Sequence, residues 1–395
     1  MIVSLLGLVI SLFAYLLAFP QSHQRRFDIY GAILAVHIAG AVGYWLLSFE
    51  SAMDAFTYYR DPFGYVRKSP FAEGTFFIVH VVQFIRRTLG GSFLDHFLFF
   101  QCFGMIGVAL LIRSFNEIAE SFHMAVPFHV YLLLFLPGLH FWSAGIGKDG
   151  PMIMAVSLAA WASLRIHKRI VWMVLSLGIM ALIRPHVGAV VMVGVASALL
   201  FTKQMSMRAK AVLAPVALMG LLFLAFRASE RLGVGFSADS VAEFVEQQQG
   251  FGDEYGGGAD LASQPFPLKI WALLFRPFFF DTDSWMQRIA SIENAVLLYF
   301  FAYLAYNWRT LLTLAKNVFY VCYSIVFCGL LIVLLAMVNY NIGLGQRQKM
   351  MAVPLVILLY GTVYIYKQYR RREQASMQYQ PESLAPAASG VPAKS

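Results

Sequence analysis

An all-helical bundle that crosses a lipid bilayer many times is the fold class this sequence predicts, and three observations carry it. Of the 395 residues 59% are hydrophobic and only 13% are charged, against about 25% charged in a typical soluble domain. Apolar runs recur from end to end, and a spanning helix needs roughly 20 such residues. Lys and Arg gather in the connections between alternate runs, the pattern that sets orientation in a membrane.

Eleven runs follow in order, at 2–19, 29–48, 93–112, 125–144, 152–165, 170–183, 187–201, 211–226, 291–307, 318–338 and 351–366. Those at 152–165, 170–183 and 187–201 are short for a span. Residues 1–366 thus form the transmembrane domain, and 367–395, rich in Gln, Ser, Pro and Ala towards its end, a disordered cytoplasmic tail. The first run lacks a basic leader and a small-residue cleavage site, so it reads as a retained helix and not a signal peptide.

With eleven spans, Arg25, Arg113, Arg165, Lys168, Arg169, Lys203, Arg309, Lys316, Lys367 and Arg370 all fall on one side. That side is cytoplasmic by the positive-inside rule, with the N-terminus outside. The net charge of +9 is assigned to these connections, and no nucleic-acid partner is expected. Cys102, Cys322 and Cys328 sit inside apolar runs without metal-ligand spacing and read as packing residues.

Two outer segments, 50–92 and 227–290, are long enough to hold structure. Phe76–Ile85, ending in Arg86-Arg87, reads as an interfacial helix. In the second segment 237–249 suits an amphipathic helix and 250–258 a mobile Gly-rich loop. Pro265–Phe280 suits a second interfacial helix, broken at Arg276-Pro277.

The outer side also carries basic residues that topology does not require, among them Lys148, Arg184, Arg276, Arg347 and Lys349. Any one of them can snorkel to the headgroups; as a set they point to an anionic ligand. Asp54, followed by Tyr58 and Tyr59, suits a general base towards a sugar hydroxyl or a cation ligand, and equally a helix N-cap. Asp61, before Pro62, suits a turn. Lys148-Asp149 lies in a Gly-bounded connection, with Lys148 placed for a phosphate oxygen and Asp149 to hold it; the plainer reading is a snorkelling Lys and an N-cap. Arg184-Pro185-His186 suits bidentate phosphate binding with a proton donor, or a Pro hairpin turn. Glu293, inside a span, is costly without a cation, and Lys148, Arg184 or Arg347 are the expected partners.

Asp54 with Tyr58 and Tyr59, then an interfacial helix, Gly90-Gly91-Ser92 and a long apolar span, resembles the first module of GT-C-superfamily membrane glycosyltransferases. Phe141–Asp149 and Arg184-Pro185-His186 resemble motifs of O-antigen-polymerase-like proteins of bacterial polysaccharide pathways; Phe275–Phe278 with Glu293, and 341–349, do so more loosely. The resemblance implies saccharide transfer from a polyprenyl phosphate or diphosphate at the outer face of the cytoplasmic membrane. Lipid-linked saccharide, membrane lipids and other polysaccharide-assembly proteins are its partners. Ala55 departs from the acidic pair usual in that loop, and the large soluble domain of many members is missing, which favours a polymerase- or ligase-like variant. Asp54 and Glu293 are then the candidate catalytic carboxylates. Lys148, Arg184, His186, Arg276 and Arg347 bind phosphate, Tyr58, Tyr59 and Asp149 support them, and no cofactor or metal is required. A flippase for the same substrate, or a non-catalytic envelope-complex protein, is the alternative.

Overall fold

The computed structural model describes residues 1–21, 25–50, 54–68, 73–203, 206–232, 264–282, 284–339 and 342–378, with a few positions between 237 and 246. Among these, every regular element is a helix. In order they are α1 (Ile2–Ala18), α2 (Phe27–Glu50), α3 (Asp54–Arg60), α4 (Tyr65–Lys68), α5 (Thr75–Leu89), α6 (Phe93–Ser121), α7 (Phe128–Leu132), α8 (Pro137–Ser143) and α9 (Asp149–Ser163). There follow α10 (Ile170–Ile183), α11 (Pro185–Phe201), α12 (Met207–Leu232), α13 (Phe266–Phe275), α14 (Trp285–Tyr306), α15 (Trp308–Asn317), α16 (Phe319–Val338), α17 (Ile342–Lys349) and α18 (Val353–Gln378).

Among the described residues four helices are long and apolar enough to cross a membrane: α2, α6, α14 and α16. The bent pair α17 and α18, at 53°, adds a fifth if taken as one broken span. The other apolar runs are helical but shorter, and the run at 125–144 breaks into α7, a 3-10 turn at Leu133–Phe135 and α8. Leu136-Pro137 explains that break, since Pro137 supplies no N–H and opens α8.

Helix α6 is the central post. A reciprocal cap starts it: the Ser92 hydroxyl accepts from the Asp95 N–H at 3.2 Å, and the Asp95 carboxylate accepts from the Ser92 N–H at 2.8 Å. Its 29 residues reach roughly 43 Å at 1.5 Å per residue. Small residues let neighbours close on it: a Cβ on Gly7 of α1 would lie 2.3 Å from the Leu98 carbonyl oxygen, and one on Gly104 would lie 2.6 Å from that of Ser143. At this level a polar layer crosses the bundle. His37 and His140 meet Nδ1 to Nδ1 at 2.9 Å, and Gln101 donates to the Ser11 hydroxyl at 2.9 Å.

Near the C-terminal end of α6, Glu117 accepts from Arg113 at 3.0 Å, from Arg169 at 2.7 Å and from the Trp161 indole at 2.9 Å. Arg165 approaches the same carboxylate at 3.7 Å. Phe122 packs on Tyr366 and Tyr369 of α18 at this end, and the Lys203 N–H donates to the Lys316 carbonyl. The basic connections after alternate runs therefore meet together.

The stretch 76–85 is helical, within α5, whose Ile78, Val79 and Val82 are buried while Phe84 faces out. Of the stretch 265–280 only Phe266–Phe275 is helical, as α13, and the chain leaves it at Arg276 in extended backbone. Asp61 serves the expected turn, accepting from the Tyr65 N–H at 2.7 Å. Helix α18 continues past 366 to Gln378, with an Arg370–Glu373 ion pair one turn apart at 2.6 Å, so a disordered tail does not begin at 367. The Gly-rich stretch 250–258, most of 237–249, and 379–395 lie outside the described residues.

Candidate functional site

Four elements deliver one ionic cluster. Asp149, the first residue of α9, is buried, and its carboxylate accepts from two arginines: Arg184 Nη2 at 2.8 Å and Arg347 Nε at 2.5 Å. Arg347 also reaches Asp54 of α3, donating from Nη1 at 3.0 Å. Arg184 sits in the one-residue gap between α10 and α11, where its Nη1 faces the Met351 sulfur at 3.1 Å. Asp149 lies at the base and Asp54, 53% exposed, at the rim. Bonds from two arginines satisfy a charge that would otherwise be costly to bury.

Lys148 precedes Asp149 and differs from both arginines. Among the described residues its ammonium makes no hydrogen bond or ion pair, although Arg184, Asp54, Asp149 and Arg347 all act on it electrostatically. Burial, then the Arg184 guanidinium, pulls its pKa down to about 8. In place of Lys148, the expected partner, Asp149 holds two arginines, because one guanidinium N–H reaches each of its two oxygens. Asp149 is not an N-cap either: that position is Lys148, without a side-chain cap bond.

Gly147 stands beside Arg347: a Cβ on it would lie 3.8 Å from Arg347 Nη2 and 3.5 Å from the Tyr58 ring, both ordinary contact distances. Gly145 is tighter still, with Tyr44 ring carbon Cε1 2.1 Å from its would-be Cβ. Tyr44, which sequence reasoning missed, and Trp142, of the Phe141–Asp149 motif, stand beside the cluster. The buried Tyr44 hydroxyl has no partner among the described residues, and the Arg347 guanidinium carbon lies 5.9 Å from the Trp142 ring centroid. Tyr44 carries no sequence signal, since it lies in an apolar run.

The cluster is recessed. A Cβ on Gly150 would sit 2.6 Å from the Ser143 carbonyl oxygen and 3.7 Å from that of Phe100. Phe100 lies seven residues into α6 from Phe93, a depth of roughly 10 Å.

The structure brings Asp54, Lys148, Asp149, Arg184 and Arg347 together. His186 is within electrostatic reach of Arg184 and Lys148 and makes no side-chain hydrogen bond among the described residues. Tyr58 is buried against Gly147, whereas Tyr59 turns to other elements: its hydroxyl donates to the Gly91 carbonyl at 3.0 Å and its ring lies under Arg86.

Arg276 and Glu293 belong to neighbouring networks. Arg276 Nε is paired with Asp281 at 2.6 Å. Glu293 accepts from the Gly138 N–H at 2.5 Å, and the cation that acts on it is Lys349. The expected partners Lys148, Arg184 and Arg347 are therefore replaced by a residue of the last polar turn. Lys349 is itself held by the Leu274 carbonyl at 2.8 Å and Asn294 Oδ1 at 2.5 Å. Helix α17 joins the networks, presenting Arg347 to one and Lys349 to the other, while Gln346 donates to the Arg276 carbonyl.

Three cations facing two carboxylates leave the cluster with a net positive charge suited to an anion. Among the described residues Lys148 Nζ, Arg184 Nε and Arg347 Nη2 make no hydrogen bond, and Asp54 brings a carboxylate to the rim. Among the described residues no group of three His, Cys, Asp or Glu side chains is placed to hold a metal ion. Comparison with protein-family models, with curated proteins and with solved structures finds no match.

Proposed function

We propose that this chain is a membrane glycosyltransferase or polysaccharide polymerase. It transfers saccharide from a polyprenyl phosphate or diphosphate carrier at the outer face of a bacterial cytoplasmic membrane. The observation that carries the reading is the Lys148 ammonium, without a protein partner, beside two arginines fixed by Asp149. A leaving phosphate there would meet two guanidinium groups whose positions are set before it binds and an ammonium free to bond it, which is how charge in a transition state is well stabilised. Asp54, at the rim, would take the proton of the acceptor hydroxyl as the bond to the carrier phosphate breaks. His186 lines the same cluster, while Arg276 and Glu293 act at one remove, fixing the segments around α17 and α8. The resemblance to GT-C and O-antigen-polymerase-like proteins supports the same substrate class.

Eleven passes, with the N-terminus outside and the C-terminus in the cytoplasm, complete the proposal. The connections after the second, fourth, sixth and tenth apolar runs supply Asp54, Asp149, Arg184 and Arg347, which meet in one cluster. Those after the third and fifth supply Arg113, Arg165 and Arg169, which meet at Glu117. An alternating path needs both meetings.

One observation favours a second reading, a flippase for the same lipid-linked saccharide. The cluster is recessed along α6, and transporters place their ionisable groups within the bilayer. Proteoliposomes loaded with polyprenyl-diphosphate-linked saccharide separate the two. New glycosidic product, lost in Asp54→Asn and Arg184→Ala with normal expression, supports the transferase; wild-type turnover in both variants sinks it. Substrate flipping without product supports the flippase.

A further inference from the structure

We propose that the groove between α15 and the C-terminal half of α18 binds the phosphate headgroup of an anionic membrane phospholipid. The groove encloses about 440 Å³ and is lined by Arg309 and Thr313 of α15 and by Tyr366, Lys367, Arg370 and Arg371 of α18. It shares no residue with the Asp149 cluster and stands independently of the transferase reading.

Its charge is unbalanced. Arg370 is paired with Glu373 at 2.6 Å, and Lys367 donates to the Asn307 amide oxygen. The Arg309 guanidinium lies 5.5 Å from the ring of its neighbour Trp308. Among the described residues the side chains of Arg309 and Arg371 make no hydrogen bond or ion pair. Four cations thus face one carboxylate, and two of them keep all their donors for a ligand. Guanidinium groups bind phosphate oxygens in pairs, which suits them to this chemistry.

Depth in the membrane selects a lipid over a free phosphate. Helices α14 and α16 are both long and apolar enough to span, and α15 is the ten-residue link between their ends. It is amphipathic, with Leu311, Leu312, Leu314 and Ala315 interleaved with Arg309, Thr310, Thr313 and Lys316 at helical spacing. A short helix of this kind lies in the interface, with its polar side at headgroup level. Tyr306 and Trp308 flank the groove at 85% and 53% exposure, and Leu312 is also exposed. Aromatic side chains are enriched at this boundary. They and Leu312 form an apolar rim against which acyl chains can lie while the phosphate enters the basic floor.

The test titrates purified full-length protein in neutral detergent with dioctanoyl phosphatidylglycerol, dioctanoyl phosphatidylcholine and inorganic phosphate, read by native mass spectrometry. Saturable phosphatidylglycerol binding is expected, at least tenfold tighter than that of phosphatidylcholine. Arg309→Gln/Arg371→Gln should weaken it at least tenfold. So should Thr313→Trp, which fills the groove without changing charge. Arg60→Gln/Lys68→Gln, two exposed cations elsewhere, should leave it unchanged. Equal affinity for the two lipids, or wild-type phosphatidylglycerol binding in both groove variants, would overturn the proposal. Inorganic phosphate displacing phosphatidylglycerol at equal concentration would overturn it too, marking a site for free phosphate.

Discussion

Arg347 and Asp149 stand 198 residues apart in the chain and 2.5 Å apart in space. Arg184 completes the clamp from the other carboxylate oxygen, so Asp149 ties α9, α17 and the α10–α11 junction to one point. Removing one partner of a buried ion pair costs roughly 3–5 kcal/mol, because the remaining charge is left without compensation. Asp149→Asn is expected to lower the melting temperature markedly in a detergent thermal-shift assay. An unchanged value would mean the clamp does not hold these helices.

Asp54 should behave in the opposite way. Its side chain is 53% exposed, and an exposed ion pair contributes about 1 kcal/mol or less. Asp54→Asn is expected to leave the melting temperature nearly unchanged while saccharide transfer falls roughly 100-fold or more, the scale of a lost general base. Parallel melting and turnover measurements on the one variant decide it.

Lys148 predicts a pH dependence with opposite signs for stability and binding. Its pKa is drawn from 10.5 down to about 8 by burial and by Arg184. Between those values the unfolded chain binds a proton that the folded chain lacks, so this group's contribution to stability rises with pH across that window. Phosphate binding needs the ammonium and should weaken as pH rises through about 8. Lys148→Arg should retain binding at pH 9, which a carrier-binding titration at several pH values would reveal.

Two glycines separated by one residue should differ sharply. Gly145→Ala places a Cβ 2.1 Å from the Tyr44 ring, whereas Gly147→Ala meets nothing closer than 3.5 Å. Overpacking of this kind typically costs about 1–3 kcal/mol. Gly145→Ala is expected to destabilise the protein by that amount and Gly147→Ala to fold normally, as read from melting temperatures.

Lys349 and Glu293 form a double-mutant test. Lys349→Met strips the donor from the Leu274 carbonyl and Asn294 and leaves Glu293 without its cation. A loss of roughly 1–3 kcal/mol is expected from the stranded buried acceptors, partly restored in Lys349→Met/Glu293→Gln. Additive losses in the cycle would mean the two residues do not act on each other.

Helical bundle architecture was legible in the sequence because apolar runs and charge placement are one-dimensional properties. Asp54, Lys148, Arg184 and Arg347 were legible as members of a single set because all four are ionic and lie in connections after alternate runs. Their pairing was not. Whether Asp149 would hold Lys148 or two arginines, and whether Glu293 would meet Arg184 or Lys349, depends on how α8, α9 and α17 pack. That packing follows from close approaches such as Gly104 on Ser143, which no periodicity records. Glu117 escaped notice because its three arginines come from two separate connections, each of which reads alone as topology. Helix α15 escaped because ten residues between two spans look like a loop until their apolar side is seen.

The most direct measurement is equilibrium binding of a polyprenyl diphosphate to the purified protein and to Lys148→Ala. Lys148 makes no hydrogen bond or ion pair among the described residues, so its loss breaks no internal bond and the melting temperature should hold. Binding at least tenfold weaker is expected in the variant. Equal affinity in the two proteins would contradict it.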